Sequence, residues 1–475
     1  MAGPPAPPRA APLRAEPPAG GGNGTSPGAE EPSYGSGARI LSIGIASTGV
    51  FTFLYLATAS HVLDPASYSR ISLCWAIMFV ILSVIYRPVE QLNSRTIADR
   101  RARGLKGRWL HIPAMIQFGF ASTFLVVALV LHDQIEQGIF DGSSALYWIL
   151  VIGVLAYSAS YFARGWLAGN QRFALYGGLV FLESTSRLLF ALAVVVGIAS
   201  GQAAVGLGMA VAPFASLCVI PFAFSRIRVR APAVVPVADA AREGPAHAEI
   251  EAAATDLNLK YGAGFAVSVV GIMLAEQTLM NAGVLIVAAK AGSGAALTVG
   301  ITGFVFNVML IVRAPLQLFQ AIQTSILPHL TGLEARESPD EFSRAIGITV
   351  KVIAAFAGAV ALGLLAIGPL VMTALLGNKG FHYGRWGLAV VGLGMGLHLV
   401  AGTLNQAALA RAHHRLASIA WLTAAALFVL FMLTPAITSE VTRVEVSYFT
   451  AALVLCGLLT AVYRRGPAAA GKPAL

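Results

Sequence analysis

Ionisable side chains sit in this sequence where a bilayer-spanning helix would hold only hydrocarbon: Arg87, Arg187, Arg313, Glu183 and Glu276. Such a group costs roughly 3 kcal/mol at the centre of a bilayer, so by default it marks a pathway or a cavity. Arg313 lies in the apolar run IVRAPLQLFQAIQTSILPHL, residues 311–330, among Gln317, Gln320 and Gln323. A guanidinium is always charged, and its planar fork of donors suits phosphate or pyrophosphate oxygens. Gln91 and Gln317 come four residues after Arg87 and Arg313 and can add donors for phosphate or sugar hydroxyls, or bond across helices. Arg87, Arg187 and Arg313, with Gln91 and Gln317, are therefore the candidate anion contacts. Snorkelling to lipid phosphates is the other reading of Arg87 and Arg313, each within about two turns of an interface. Glu183 and Arg187 are four apart and can pair on one helix face, or Arg187 can face a cavity with Glu183 tuning it. Glu276, beside Gln277 and Asn281, is the candidate ion-coupling residue; substrate contact or a helix–helix hydrogen bond are its alternatives. Asn307, His398, Asn405 and Gln406 read as bonds between helices. Tyr55, Tyr157 and Tyr161 either line a cavity or belong to an aromatic belt.

The elements that carry these residues are long apolar runs. Only 11% of the 475 residues are charged, less than half of the roughly 25% usual in soluble chains. The expected fold is all-α: a polytopic membrane protein of about twelve spanning helices, since the runs approach 20 residues rather than alternating over ~10. Spans are expected near 39–60, 71–92, 110–131, 146–166, 174–197, 203–225, 262–286, 296–326, 346–375, 386–409, 416–435 and 446–463. Residues 1–38, rich in Pro, Ala and Gly, form a disordered cytoplasmic tail, and 466–475 a second tail. The Pro/Ala-rich and then acidic stretch 226–261 is a cytoplasmic linker between six-helix bundles at 39–225 and 262–465. The two halves share a pattern: IYRPVEQL at 85–92 and IVRAPLQL at 311–318 match at Ile, Arg, Gln and Leu. An even number of spans in each half makes such repeats parallel, related by a pseudo-two-fold along the membrane normal.

Lys and Arg cluster in alternate loops, at 95–108, 164–172, 226–230, 411–415 and 464–465, which places both termini in the cytoplasm. The opposite loops hold few bases, Lys379 and Arg385 being the exception. A net charge of +10 does not point to nucleic acid, because the bases lie at helix ends rather than in one patch. Cys74, Cys218 and Cys456 are far apart in apolar runs and read as small hydrophobes, without metal-ligand spacing. No Walker A sequence is present, and neither a cofactor nor a metal is implied. HVLDPASYSR, the first outer loop, contains the single acid Asp64, where a membrane glycosyltransferase would need an acidic cluster.

VLDPASYSRISLCWAI followed by NSRTIADRRARG resembles the start of polysaccharide and oligosaccharide-lipid flippases, whose first outer loop commonly reads LGPxxYG. RGWLAGNQRFALYGGLVFLESTSRLLFAL at 164–192 is similar to that family around its fifth helix, and QAIQTSILPHLTGLEAR at 320–336 to the end of its eighth. DPASYS departs from the pattern at two glycines. The resemblance, over residues 39–465, implies the fold of the multidrug/oligosaccharidyl-lipid/polysaccharide (MOP) exporter superfamily. It implies two six-helix bundles in a V around a cationic cavity, which receives the pyrophosphate and glycan of a polyprenyl carrier. The expectation is a non-enzymatic transporter in the bacterial cytoplasmic membrane. It flips a polyprenyl-diphosphate-linked saccharide outward by alternating access, and its partners are that substrate, membrane lipids and the glycosyltransferases or polymerase of the same pathway. A cation-coupled multidrug extruder of the same fold is the alternative, and a membrane glycan polymerase or ligase a more distant one.

Overall fold

A computed structural model describes residues 34–102, 110–221, 245–291, 300–316, 339–378, 380–411 and 413–465. Regular structure among these residues is helical throughout. The first part of the chain gives α1 (Tyr34–Val62), α2 (Pro65–Ile81), α3 (Arg87–Ala102), α4 (His111–Val130), the short α5 (His132–Gly138), α6 (Ser144–Gly169), α7 (Phe173–Val195) and α8 (Gly201–Leu217). The second gives α9 (Pro245–Ala291), α10 (Gly300–Leu316), α11 (Pro339–Leu376), α12 (Arg385–Ala410), α13 (His414–Leu433) and α14 (Glu440–Tyr463). With α2–α3 counted once and α5 left out, these make twelve helical segments among the described residues. Of the described helices, 9 are long and apolar enough to cross a membrane, and α8 and α10 are shorter apolar helices. This is the architecture of a multi-pass membrane protein.

Several boundaries differ from expectation, two of them by entering segments expected to be tail or linker. α1 begins at Tyr34, inside the expected tail, and α9 begins at Pro245, inside the expected linker. AHAEIEAAATDLNLK is rich in Ala, Glu and Leu, the best helix formers, so the helix runs on beyond the apolar segment. The rest of the tails and of the linker lies outside the described residues.

The helices pack in two sets. In the first, α1 lies on α7, α7 on α8, and α6 against both α3 and α8; in the second, α12 lies on α11 and α14, and α13 on α9 and α14. Small residues set the closest approaches, as membrane helices require without a hydrophobic drive between them. A Cβ on Gly44 would lie 2.8 Å from the Cα of Gly177, so α1 and α7 touch backbone to backbone. Between the sets, α2, α3 and the turn joining them face α9, while α1 meets α11. We call the end where α1 begins and α14 finishes proximal, and the end where α1 turns into α2 distal.

α2 continues into α3 through a π-helical turn, Leu82–Tyr86, in which the Arg87 N–H reaches back to the Leu82 carbonyl. Pro88 explains it: proline cannot donate to the carbonyl four residues back, and its ring collides with that carbonyl in an α-helix. Widening the preceding turn relieves the collision and re-aims the side chains of α3.

The least packed spans are Pro113–Val130 of α4 and Phe342–Leu376 of α11, each with 17% of its apolar window buried. The cysteines divide: Cys74 is buried, but Cys218 is exposed and Cys456 half-buried, so they are not three equivalent core residues as expected.

Candidate substrate cavity

A cavity of about 380 Å³ lies between the two helix sets. Toward its distal end the lining is mostly apolar, Leu56, Trp75, Phe79, Met280 and Leu310, with Asn281 and Arg313 beside Met280. Arg87, Glu90, Arg164 and Glu276 lie toward its proximal end, which reaches the exposed Gln91. Sixteen residues separate Trp75 from Gln91, which along a helix is about 24 Å.

Helical spacing delivers these groups. Arg87, Glu90 and Gln91 stand at i, i+3 and i+4 on α3, and Tyr161 and Arg164 at i and i+3 on α6. From the second set, α9 presents Glu276, Gln277 and Asn281, and α10 presents Arg313. The structure thus brings together Arg87, Arg313, Gln91 and Glu276 around one cavity. Gln317, with Gln320 and Gln323, lies outside the described residues.

The arginines are not equivalent. The Arg164 guanidinium is paired with the Glu183 carboxylate, which also accepts hydrogen bonds from Ser160 and, at 3.2 Å, from Ser216. Arg164 further covers the Tyr161 ring at 4.5 Å. Arg87 shares the cavity lining with the Glu90 and Glu276 carboxylates. Glu90 in turn accepts a 2.7 Å hydrogen bond from the Tyr176 hydroxyl. Arg313 differs: its Nη2 donates to the Met280 carbonyl at 2.9 Å and to Asn281 Oδ1 at 2.7 Å, and its guanidinium lies 4.6 Å from the Phe306 ring centroid. No carboxylate is bonded to it among the described residues, and its buried Nε has no partner. Asn281 is held in turn, donating to Gln277 Oε1 at 3.0 Å.

Arg187 stands one layer behind the cavity. It donates to the Tyr157 hydroxyl at 2.5 Å and to Thr52 Oγ1 at 3.4 Å, and its guanidinium lies 5.4 Å from the Trp75 ring. Thr52 and Trp75 line the cavity, whereas Arg187 itself does not. The expected Glu183–Arg187 pair does not form. Their spacing puts both on one face of α7, but Glu183 is taken by Arg164 and the two serines of α6 and α8, which satisfy a buried carboxylate more fully.

Arg164 is the largest correction to the sequence reading. Counted there among loop bases, it belongs to α6 and turns into the cavity. Glu90 and Tyr176 were also missed, although Glu90 sits between Arg87 and Gln91 in the repeated IYRPVEQL motif. With Glu90, Glu183 and Glu276 set against Arg87, Arg164, Arg187 and Arg313, the groups in and behind the cavity still carry one more guanidinium than carboxylate. Of the tyrosines, Tyr161 lines the cavity, Tyr157 holds Arg187, and Tyr55 donates to the Val205 carbonyl at 3.1 Å. His398 meets the Tyr448 hydroxyl at 3.1 Å, and Asn405 accepts from the Trp421 indole at 3.1 Å.

No protein-family profile and no curated protein matches the sequence. Solved structures match the fold over nearly the whole chain. An outward-facing multidrug resistance MATE family transporter of the MOP superfamily aligns with a TM-score of 0.60 at 13% identity, covering 91% of this chain and 95% of that one. The Vibrio cholerae MATE transporter VcmN, in its bent form, gives 0.57 at 12%, covering 92% and 98%. A MOP superfamily transporter from Pyrococcus furiosus, described for the reversed polarity of its binding pocket, gives 0.59 at 14%, covering 91% and 95%. At these identities the likeness concerns the fold, and the fold of this chain is that of the MATE transporters of the MOP superfamily.

Proposed function

We propose that this protein is a transporter that moves a polyprenyl-diphosphate-linked saccharide from the inner to the outer leaflet by alternating access. The observation that carries the reading is Arg313, a cavity-lining guanidinium held by neutral oxygens and an aromatic face. Arg87 and Gln91 extend the anion site toward the proximal end; Gln317 is retained as a candidate, and Arg187 acts through Tyr157 and Thr52. Glu276 is the coupling site in this reading, a carboxylate of the cavity lining on α9.

The proximal end is cytoplasmic in this reading, with both termini inside a bacterial cell membrane. Charge supports it: the distal Arg70 pairs with Asp141 at 2.9 Å and Arg443 with Glu440 at 2.7 Å, leaving little net positive charge there. Glycosyltransferases or a polymerase of the same pathway would supply or consume the substrate.

The test is Arg313→Ala. Surface glycan export falls below a tenth of wild type at equal membrane abundance if the guanidinium captures the diphosphate. Normal export by that variant removes the reading. A second reading, a cation-coupled multidrug extruder, is favoured by the three carboxylates in and behind the cavity and by the multidrug transporters that share the fold. It requires drug susceptibility to rise in a deletion strain while surface glycan stays intact.

A further inference from the structure

The DPASYS stretch, residues 64–69, plays no part in the cavity, yet it makes a dense polar contact between the two helix sets. Asp64 starts α2 by accepting the Ala66 and Ser67 N–H groups, each at 3.0 Å, and Pro65 stands at the first helical position. That start fixes the next two side chains against α10. The Tyr68 hydroxyl donates to Asn307 Oδ1 at 2.5 Å, and the Asn307 amide donates to the Tyr383 hydroxyl at 3.3 Å and the Leu376 carbonyl at 3.4 Å. Tyr383 passes the chain on, donating to the Gly377 carbonyl at 2.8 Å. Ser69 Oγ accepts the Gly303 N–H at 3.0 Å, so a first-turn amide of α10 is capped by a side chain of the other set. Tyr68, Ser69 and Asn307 are all buried. Gly303 has to be glycine for this fit, since a Cβ there would lie 2.8 Å from Tyr68 Cδ1 and 3.0 Å from Ser69 Oγ. At the rim, His61 of α1 meets the Ala374 carbonyl of α11 at 3.2 Å.

We propose that Tyr68 and Ser69, with Gly303, Asn307 and Tyr383, form a distal latch that closes the cavity on that side and must part each time the cavity opens distally. The proposal rests on the alternating-access reading above. Its chemistry suits a contact that is made and broken repeatedly. The groups are neutral donors and acceptors, each of which exchanges its protein partner for water at small net cost, whereas a buried ion pair would resist separation. The latch lies directly over the cavity: Leu310, three residues after Asn307 on α10, is part of the cavity lining.

The test uses sidedness of labelling and needs no knowledge of what is transported. In a Cys74→Ala, Cys218→Ala, Cys456→Ala background, Leu310→Cys is exposed to a membrane-impermeant maleimide applied from the distal side of reconstituted vesicles. The parent labels slowly. Tyr68→Phe leaves the Asn307 oxygen without its donor only while the latch is closed, and raises the distal labelling rate roughly five- to tenfold. Gly303→Ala wedges the same contact by a different route and raises it as well. Alanine's better helix propensity offsets part of the crowding, and this variant, scored only where it melts cooperatively, decides the matter should Tyr68→Phe fold poorly. Distal labelling at the parent rate in folded Gly303→Ala, or in both variants, overturns the latch. Faster labelling in a protein that exports no saccharide keeps the latch and removes only the substrate reading.

Discussion

Arg164 and Arg313 line one cavity and differ in what removing their partners or themselves should do. Arg164 is locked to Glu183, so Glu183→Gln strands a buried guanidinium and is expected to cost ~3–5 kcal/mol. Thermal unfolding in detergent reads this as a lowered midpoint, and Glu183→Met combined with Arg164→Met restores most of the loss. Arg313 has no carboxylate to strand among the described residues, so Arg313→Met should leave the midpoint within a degree or two of wild type while transport is lost. Arg87, Arg313, Gln91 and Glu276 were legible in the sequence because a charged or amide group inside an apolar run has few reasons to be there. Arg164 was not, since a base near a loop looks like a topology signal until the helix is seen to carry it inward. The partner of Glu183 was hidden for another reason. Spacing along α7 shows which residues share a face, but only the packing of α6 and α8 shows what that face meets.

Among the elements, the α2–α3 rod illustrates how a backbone irregularity positions a functional side chain. Pro88→Ala removes the cause of the π-helical turn at Leu82–Tyr86, and relaxing that turn to α-helix rotates α3 by about 100° relative to α2. Transport is expected to fall roughly tenfold or more, while the melting temperature holds or rises because proline is the poorest residue inside a helix. The start of the same rod depends on Asp64: Asp64→Ala should cost ~1 kcal/mol as a lost N-cap, measurable in the same melts. The Ser67 hydroxyl, with the Ser67 and Ala66 amides, holds the Asp64 carboxyl below the ordinary carboxylate range. That cap is therefore present above the usual aspartate titration and is lost only as pH falls through the lowered value. Hydropathy located the spans because each is an uninterrupted apolar run. It misplaced the start of α9, where polar helix formers extend the helix beyond the apolar segment, and that of α1, whose first residues Tyr34 to Gly37 have no such composition; it carries no mark of a π turn apart from the proline.

Across the whole molecule, both helix sets bring charge to the cavity, Arg87 from one and Glu276 from the other among them. The acid separates the two functional readings by sign. Glu276→Gln makes the cavity more positive, so inorganic pyrophosphate should bind several-fold more tightly, monitored through the fluorescence of Trp75 against a Trp75→Phe control. A site built for cationic drugs would instead lose affinity for its ligand in that variant. The division into two sets also leaves α4 and α11 on the flanks, their apolar windows only 17% buried. Most of the apolar surface of those two helices is left uncovered by the other described helices, and in a membrane acyl chains would complete it. On extraction they should be the first elements to loosen, with backbone amide exchange in α4 and α11 faster in short-chain detergent than in lipid nanodiscs while α6 and α12 stay protected. Membrane thickness and lipid type thereby become variables of this protein's stability in the same sense that salt and pH are for a soluble one.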